Sequence, residues 1–134
     1  MVALFALAYG CFVASRVDEG MIVVDQALAE VEARGRRVYE AEFHRLRGEF
    51  LLMQNHSNES AAEGCFREAL KIARRQQGKS WELRAATSFA RLLDKQGKRD
   101  DARAMLAEIY NWFTEGFDTA DLKDAKALLD ELNA

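Results

Sequence analysis

WELRAATSFARLLDKQGKRDDARAMLAEIYNWF, residues 81–113, is the stretch whose reading decides the fold. Apolar side chains at Leu83, Ala86, Phe89, Ala90 and Leu93 recur at three- and four-residue steps. That spacing places them on one face of a helix. The run Gln96-Gly97-Lys98-Arg99 interrupts the pattern, and Gly97 can take the positive φ that closes many helices. The pattern resumes at Ala102, Met105, Leu106, Ile109 and Tyr110, with small residues at Ala90 and Ala102 where two helices must approach closely. The stretch therefore predicts a helical hairpin.

The hairpin recurs upstream. The spacing of Ala102, Leu106 and Ile109 is repeated by Ala62, Phe66 and Ala69, and again by Gly20, Val24 and Ala27. A small residue on the preceding helix accompanies each trio: Ala90, Gly48 and Ala8. Tyr39-Glu40 and Trp81-Glu82 also correspond, and so do the turns Arg16-Val17-Asp18-Glu19-Gly20 and Lys98-Arg99-Asp100-Asp101-Ala102. Self-similarity at about 40 residues is the pattern of stacked hairpins that bury their faces on one another.

This small–large–small pattern resembles the tetratricopeptide repeat, and the third unit is the closest match. The units are longer than the usual repeat, the second has two extra residues between Gly48 and Ala62, and no proline ends any unit. The runs YEAEFHRLRGEFLL (39–52) and ESAAEGCFREALKIARRQQGKS (59–80), with residues 81–132, also resemble the C-terminal repeat region of large bacterial signalling proteins. Those proteins join a nucleotide cyclase or a winged-helix domain to a predicted ATPase and then to such repeats. Residues 112–119 (WFTEGFDT) and 122–132 (LKDAKALLDEL) carry that resemblance most specifically. It implies an all-α, right-handed helical-hairpin solenoid in one domain, residues 1–134. Repeats are expected at about 1–35, 36–78 and 79–115, with a capping helix over about 118–133.

Composition agrees with such a domain. The 134 residues are 49% hydrophobic and 31% charged, values of a globular chain, and contain no proline. A net charge of −3 argues against nucleic acid as a partner. Cys11 and Cys65 have no paired spacing, which suits a reducing compartment, and a cytoplasmic location is expected. The apolar start MVALFALAYGCFVA (1–14) lacks a preceding basic residue and is too short to cross a bilayer, so it reads as a first repeat helix.

Helix two is expected over Asp18–Arg34, helix three over Val38–Gln54 and helix four from about Ser57 or Asn58 to Gln77. Ser80 is the expected cap of the next helix. Asp118 or Thr119 should start the last helix, where Asp118 and Asp121 have capping-box spacing.

No catalytic pattern emerges. Gln77-Gly78-Lys79-Ser80 imitates the end of a phosphate-binding loop, but Ala73 stands where its first glycine is required and no strand precedes it. His44 and Cys65 are too few to hold a metal, and His56 lies in a polar turn. The expectation is a protein that is not an enzyme and uses no cofactor or metal.

In tetratricopeptide folds the first helix of each unit lines a groove. That resemblance assigns Arg84, Thr87, Arg91, Asp94 and Lys95 to the groove from the third unit. Glu42, Arg45, Glu49, Leu52 and Met53 come from the second, and Val2, Phe5, Tyr9, Phe12 and Val13 from the first. The groove would be mixed in charge at its middle and apolar at one end. The first charged side chain after Met1 is Arg16, so both faces of helix one want cover. Self-association through Phe5, Tyr9 and Phe12 is therefore expected. Two functions remain. One is a protein- or peptide-binding scaffold in a cyclase- or ATPase-type signalling protein, and the other is a small-ligand-responsive module of a transcriptional regulator. Neither a membrane nor a nucleic acid is an expected partner.

Overall fold

The computed structural model describes residues 1–134 and contains only helices, seven of them α-helices. They are α1 (Val2–Val13), α2 (Val17–Arg34), α3 (Glu40–Gln54), α4 (Glu59–Arg75), α5 (Lys79–Lys95), α6 (Arg99–Tyr110) and α7 (Ala120–Asn133). Each helix packs on its neighbours in sequence. In addition, α1, α3, α5 and α7 pack on one another in a row, whereas α2, α4 and α6 make no contact among themselves. The odd helices thus form one continuous layer, and the even helices cover its back.

The turns explain why hairpins form. Gly97 takes φ 78°, its N–H bonds the Asp94 carbonyl, and the Lys98 N–H bonds the Leu93 carbonyl. These paired bonds satisfy carbonyls that the end of α5 leaves open. Ser15 at φ 57° and Gln77 at φ 56° make the same pair of bonds at the ends of α1 and α4. The α1–α2 turn therefore repeats the α5–α6 turn, as the sequence correspondence required. The α3–α4 hairpin has two extra residues between Gly48 and Ala62, and its connection contains a 3₁₀ turn, His56–Asn58. There the Asn55 side chain accepts from the Ser57 N–H, and the Asn58 amide donates to the Leu51 carbonyl.

Helix starts depart from the expectations by one or two residues. α3 begins at Glu40 and α4 ends at Arg75. Gly78 rather than Ser80 precedes α5, and Thr119 precedes α7 without capping it through a side chain. The capping box at Asp118 and Asp121 does not form; the Thr119 hydroxyl donates backward to the Gly116 carbonyl instead.

Packing follows the small–large trios. Gly48 on α3 faces Phe66 on α4, and Gly20 on α2 faces Phe50 on α3. Phe43, Phe50 and Phe66 are fully buried, each contributing about 2–3 kcal/mol of apolar burial. One apolar cluster joins α4 to α7 through Phe66, Phe89, Leu106 and Leu132, and a second joins α1 to α3 through Val24, Phe43 and Phe50. No helix is long and apolar enough to cross a membrane.

Candidate functional site

The layer of odd helices carries a chain of charges along its free face. Glu42 on α3 is 1% exposed. It accepts from Arg45 Nε at 2.6 Å, one turn along its own helix, and from Arg84 Nη1 on α5 at 2.6 Å. Arg84 Nε in turn donates to Asp121 Oδ2 on α7 at 2.9 Å. Arg45 Nη1 also reaches the Ser88 hydroxyl at 3.4 Å. A carboxylate this deeply buried needs such partners, because desolvation of an unpaired charge is costly. Burial disfavours the charge of Arg84, but the hydrogen bonds and charges of Glu42 and Asp121 outweigh it and raise its pKa. The network ties three inner helices together and fixes two guanidinium planes.

Over this network lies a cavity of about 140 Å³. Arg45 and Glu49 of α3, Arg84 and Arg91 of α5, and Asp121 and Asp124 of α7 line it. Tyr9 and Phe12 close its apolar end. Seven of the fifteen groove residues expected from sequence, Tyr9, Phe12, Arg45, Glu49, Arg84, Thr87 and Arg91, line this one cavity. The Thr87 hydroxyl is already spent, since it donates to the Leu83 carbonyl of its own helix.

The other eight do not line it. Glu42 is not presented to the groove but lies beneath it, drawn down by Arg45 and Arg84. Asp94 does not line the cavity, and neither do Leu52, Met53 and Lys95. Conversely, Asp121 and Asp124 belong to α7, which the sequence reading treated only as a cap. A signal for them exists: Leu83, Ala86, Phe89 and Leu93 recur 39 positions later as Leu122, Ala125, Leu128 and Leu132. That repetition marks α7 as a fourth member of the inner layer.

The aromatic residues of α1 also divide. Phe5 stacks on Tyr39 at 4.6 Å and meets Phe43 and Trp81 edge-on, so its ring belongs to the chain's own packing. Phe12 packs edge-on against Phe50. Phe5 and Phe12 are half-buried, and only Tyr9 is exposed. The open face of α1 is instead made by Val2, Leu7 and Val13, at 65%, 55% and 67% exposure.

Other buried charges brace the frame. Glu40 opens α3 and Glu82 is the fourth residue of α5, both in a first turn, where a carboxylate meets the positive end of the helix dipole. Arg75 approaches Glu40 at 3.8 Å and Arg74 meets Glu82 at 3.3 Å, so the end of α4 serves both neighbours. The Gln77–Ser80 segment spans the α4–α5 turn and the first two residues of α5, and Lys79 pairs with Glu82 at 3.4 Å. No three His, Cys, Asp or Glu side chains come together to hold a metal ion, and both cysteines are free. No family model, curated protein or solved structure matches the chain.

Proposed function

We propose that this chain is a tetratricopeptide-like stack of right-handed helical hairpins that acts as a non-catalytic scaffold and takes a segment of a partner polypeptide in its groove. The proposed setting is the sensory or assembly end of a bacterial cyclase- or ATPase-type signalling protein. The contact pattern supports the stack: each helix touches only helices one or two places away, and the odd helices run in one continuous row. One observation carries the binding role. Arg45 and Arg84 are held by Glu42 and Asp121, while Glu49, Arg91 and Asp124 around the same cavity make no ion pair. Free charges of both signs beside an apolar end suit a polypeptide with mixed side chains.

The alternative, a small-ligand-responsive module of a transcriptional regulator, finds less support in this groove. Its volume of about 140 Å³ is below the roughly 300–1,000 Å³ of most small-molecule pockets.

Photo-crosslinking tests the reading. A crosslinking side chain at position 91 should capture a polypeptide that the same group at position 71, exposed on α4, does not capture. Glu49→Lys should abolish that capture. Equal capture from both positions, or none from position 91, overturns the groove assignment.

The same proposal includes a second copy of the chain as the cover for α1. Its open face carries no charge, whereas the outer face of α7 presents Lys123, Lys126 and Asp130. End-to-end stacking of α7 on α1 would desolvate those charges without partners. A two-fold contact of α1 with α1 avoids that cost and meets the symmetry of most homodimers.

A further inference from the structure

The segment between α6 and α7 forms a second cleft, which shares Asp121 with the groove and is larger, at about 390 Å³. That volume is within the range of small-molecule sites. Its floor is apolar, made by Leu83 of α5 and Leu122 of α7. One wall is an aromatic corner: the rings of Trp112 and Phe113 stand 5.2 Å apart at 87°. Trp112 is 57% exposed although it is the largest side chain in the segment. A ligand in the cleft would cover part of this indole, and that burial is favourable.

The charged side chains that line this corner are both acidic, although Lys79 stands over the Trp112 ring and Arg84 pairs with Asp121. Glu115 and Asp121 line the cleft, and no basic side chain does. Arg84 engages Asp121 through Oδ2 only, leaving Oδ1 without a hydrogen bond. The N-terminus of α7 contributes partial positive charge nearby, but Asp121 lies in its first turn and offsets it. The indole also attracts cations in this chain: the Lys79 ammonium stands 5.4 Å from the Trp112 ring centroid. Aromatic faces with adjacent carboxylates and an apolar floor favour a cation whose charge is spread over alkyl groups. A bare metal ion would find neither three ligands nor a polar cage.

We propose that the cleft bounded by Trp112, Phe113, Glu115 and Asp121 binds a small alkylammonium cation. The ammonium sits against the indole face, and its alkyl groups lie on Leu83 and Leu122. Lys79 is a competitor for the same ring and lowers the affinity of the site.

Calorimetric titration of the intact chain with choline and with its neutral isostere 3,3-dimethylbutanol tests this. Choline should bind at least about tenfold more tightly than the alcohol, the difference a desolvated cation–π contact supplies. Trp112→Leu should lose about tenfold in choline affinity while the far-ultraviolet dichroism stays unchanged, because the indole is exposed. Lys79→Gln should tighten choline binding. Absence of choline binding, equal binding of the alcohol, or an unaffected Trp112→Leu variant overturns the proposal. Weaker binding by Lys79→Gln would overturn the competitive role of that lysine.

Discussion

Gly48 and Phe66 approach so closely that a Cβ on Gly48 would stand 2.6 Å from Cε1 of the Phe66 ring. The ring is fully buried and cannot swing away. Gly48→Ala should therefore destabilise the chain by about 1–2 kcal/mol, overpacking outweighing the gain in helix propensity. The third hairpin solves the same contact with Ala90 and Leu106, a larger small residue matched to a smaller large one. Transplanting that pair as Gly48→Ala with Phe66→Leu should recover at least about 1 kcal/mol over the sum of the single variants. Urea denaturation of the four proteins measures it. Strict additivity would show that the two positions do not share one constraint.

Glu42 poses the opposite problem, a buried charge rather than a tight contact. Removing it as Glu42→Ala leaves Arg45 and Arg84 facing each other in a site 1% open at its centre. The expected loss is about 2–4 kcal/mol, reduced from a fully buried pair because Arg84 keeps some solvent. Equilibrium unfolding at low and moderate salt reads it. A change within about 0.5 kcal/mol would mean that water replaces the carboxylate.

These two contacts show how much the sequence displayed. Gly48 and Phe66 stand at repeat positions that the periodicity displays, and the resemblance to the tetratricopeptide repeat put Arg45, Glu49, Arg84 and Arg91 in one groove. Glu42 shares that assignment. Its descent under the groove depends on Arg84, 42 residues away, and a residue's own helix does not encode such a partner. The stacking of Phe5 on Tyr39 is hidden for a similar reason, since the partner lies 34 residues away at the start of the next hairpin. The Trp112 cleft had no periodic signal, because turn residues carry no period to compare; residues 112–119 stood out only through the resemblance.

His44 gives the fold a pH dependence whose direction is set by burial. Desolvation lowers its pKa below 6.5, with Arg47 acting the same way, while Glu68 and Glu40 pull against them. The unfolded chain then takes up a proton more readily than the folded one. Stability is complete above the unfolded pKa of 6.5 and falls as pH drops through it toward the lowered folded value. His44→Gln should flatten the change in midpoint between about pH 7.5 and about pH 5.5. An undiminished slope in the variant would place the responsible group elsewhere.

The open face of α1 makes the final case, because it separates two aromatic residues from the apolar ones beside them. Leu7→Asp adds a charge where nothing of the chain's own packing is disturbed, Leu7 being 55% exposed. Phe5→Asp would instead unstack Tyr39 and unsettle α3, so loss of assembly there would be ambiguous. If two copies meet through α1, light scattering should give twice 15.2 kDa for the native chain and the single mass for Leu7→Asp, at equal thermal stability of the monomeric unit. Burying a carboxylate at a two-fold contact places two like charges together, a cost of several kcal/mol that a contact of this size cannot offset. A native chain that stays at the single mass across the concentration range would show that the face is tolerated open, and Val2, Leu7 and Val13 would then mark the docking place of a different partner.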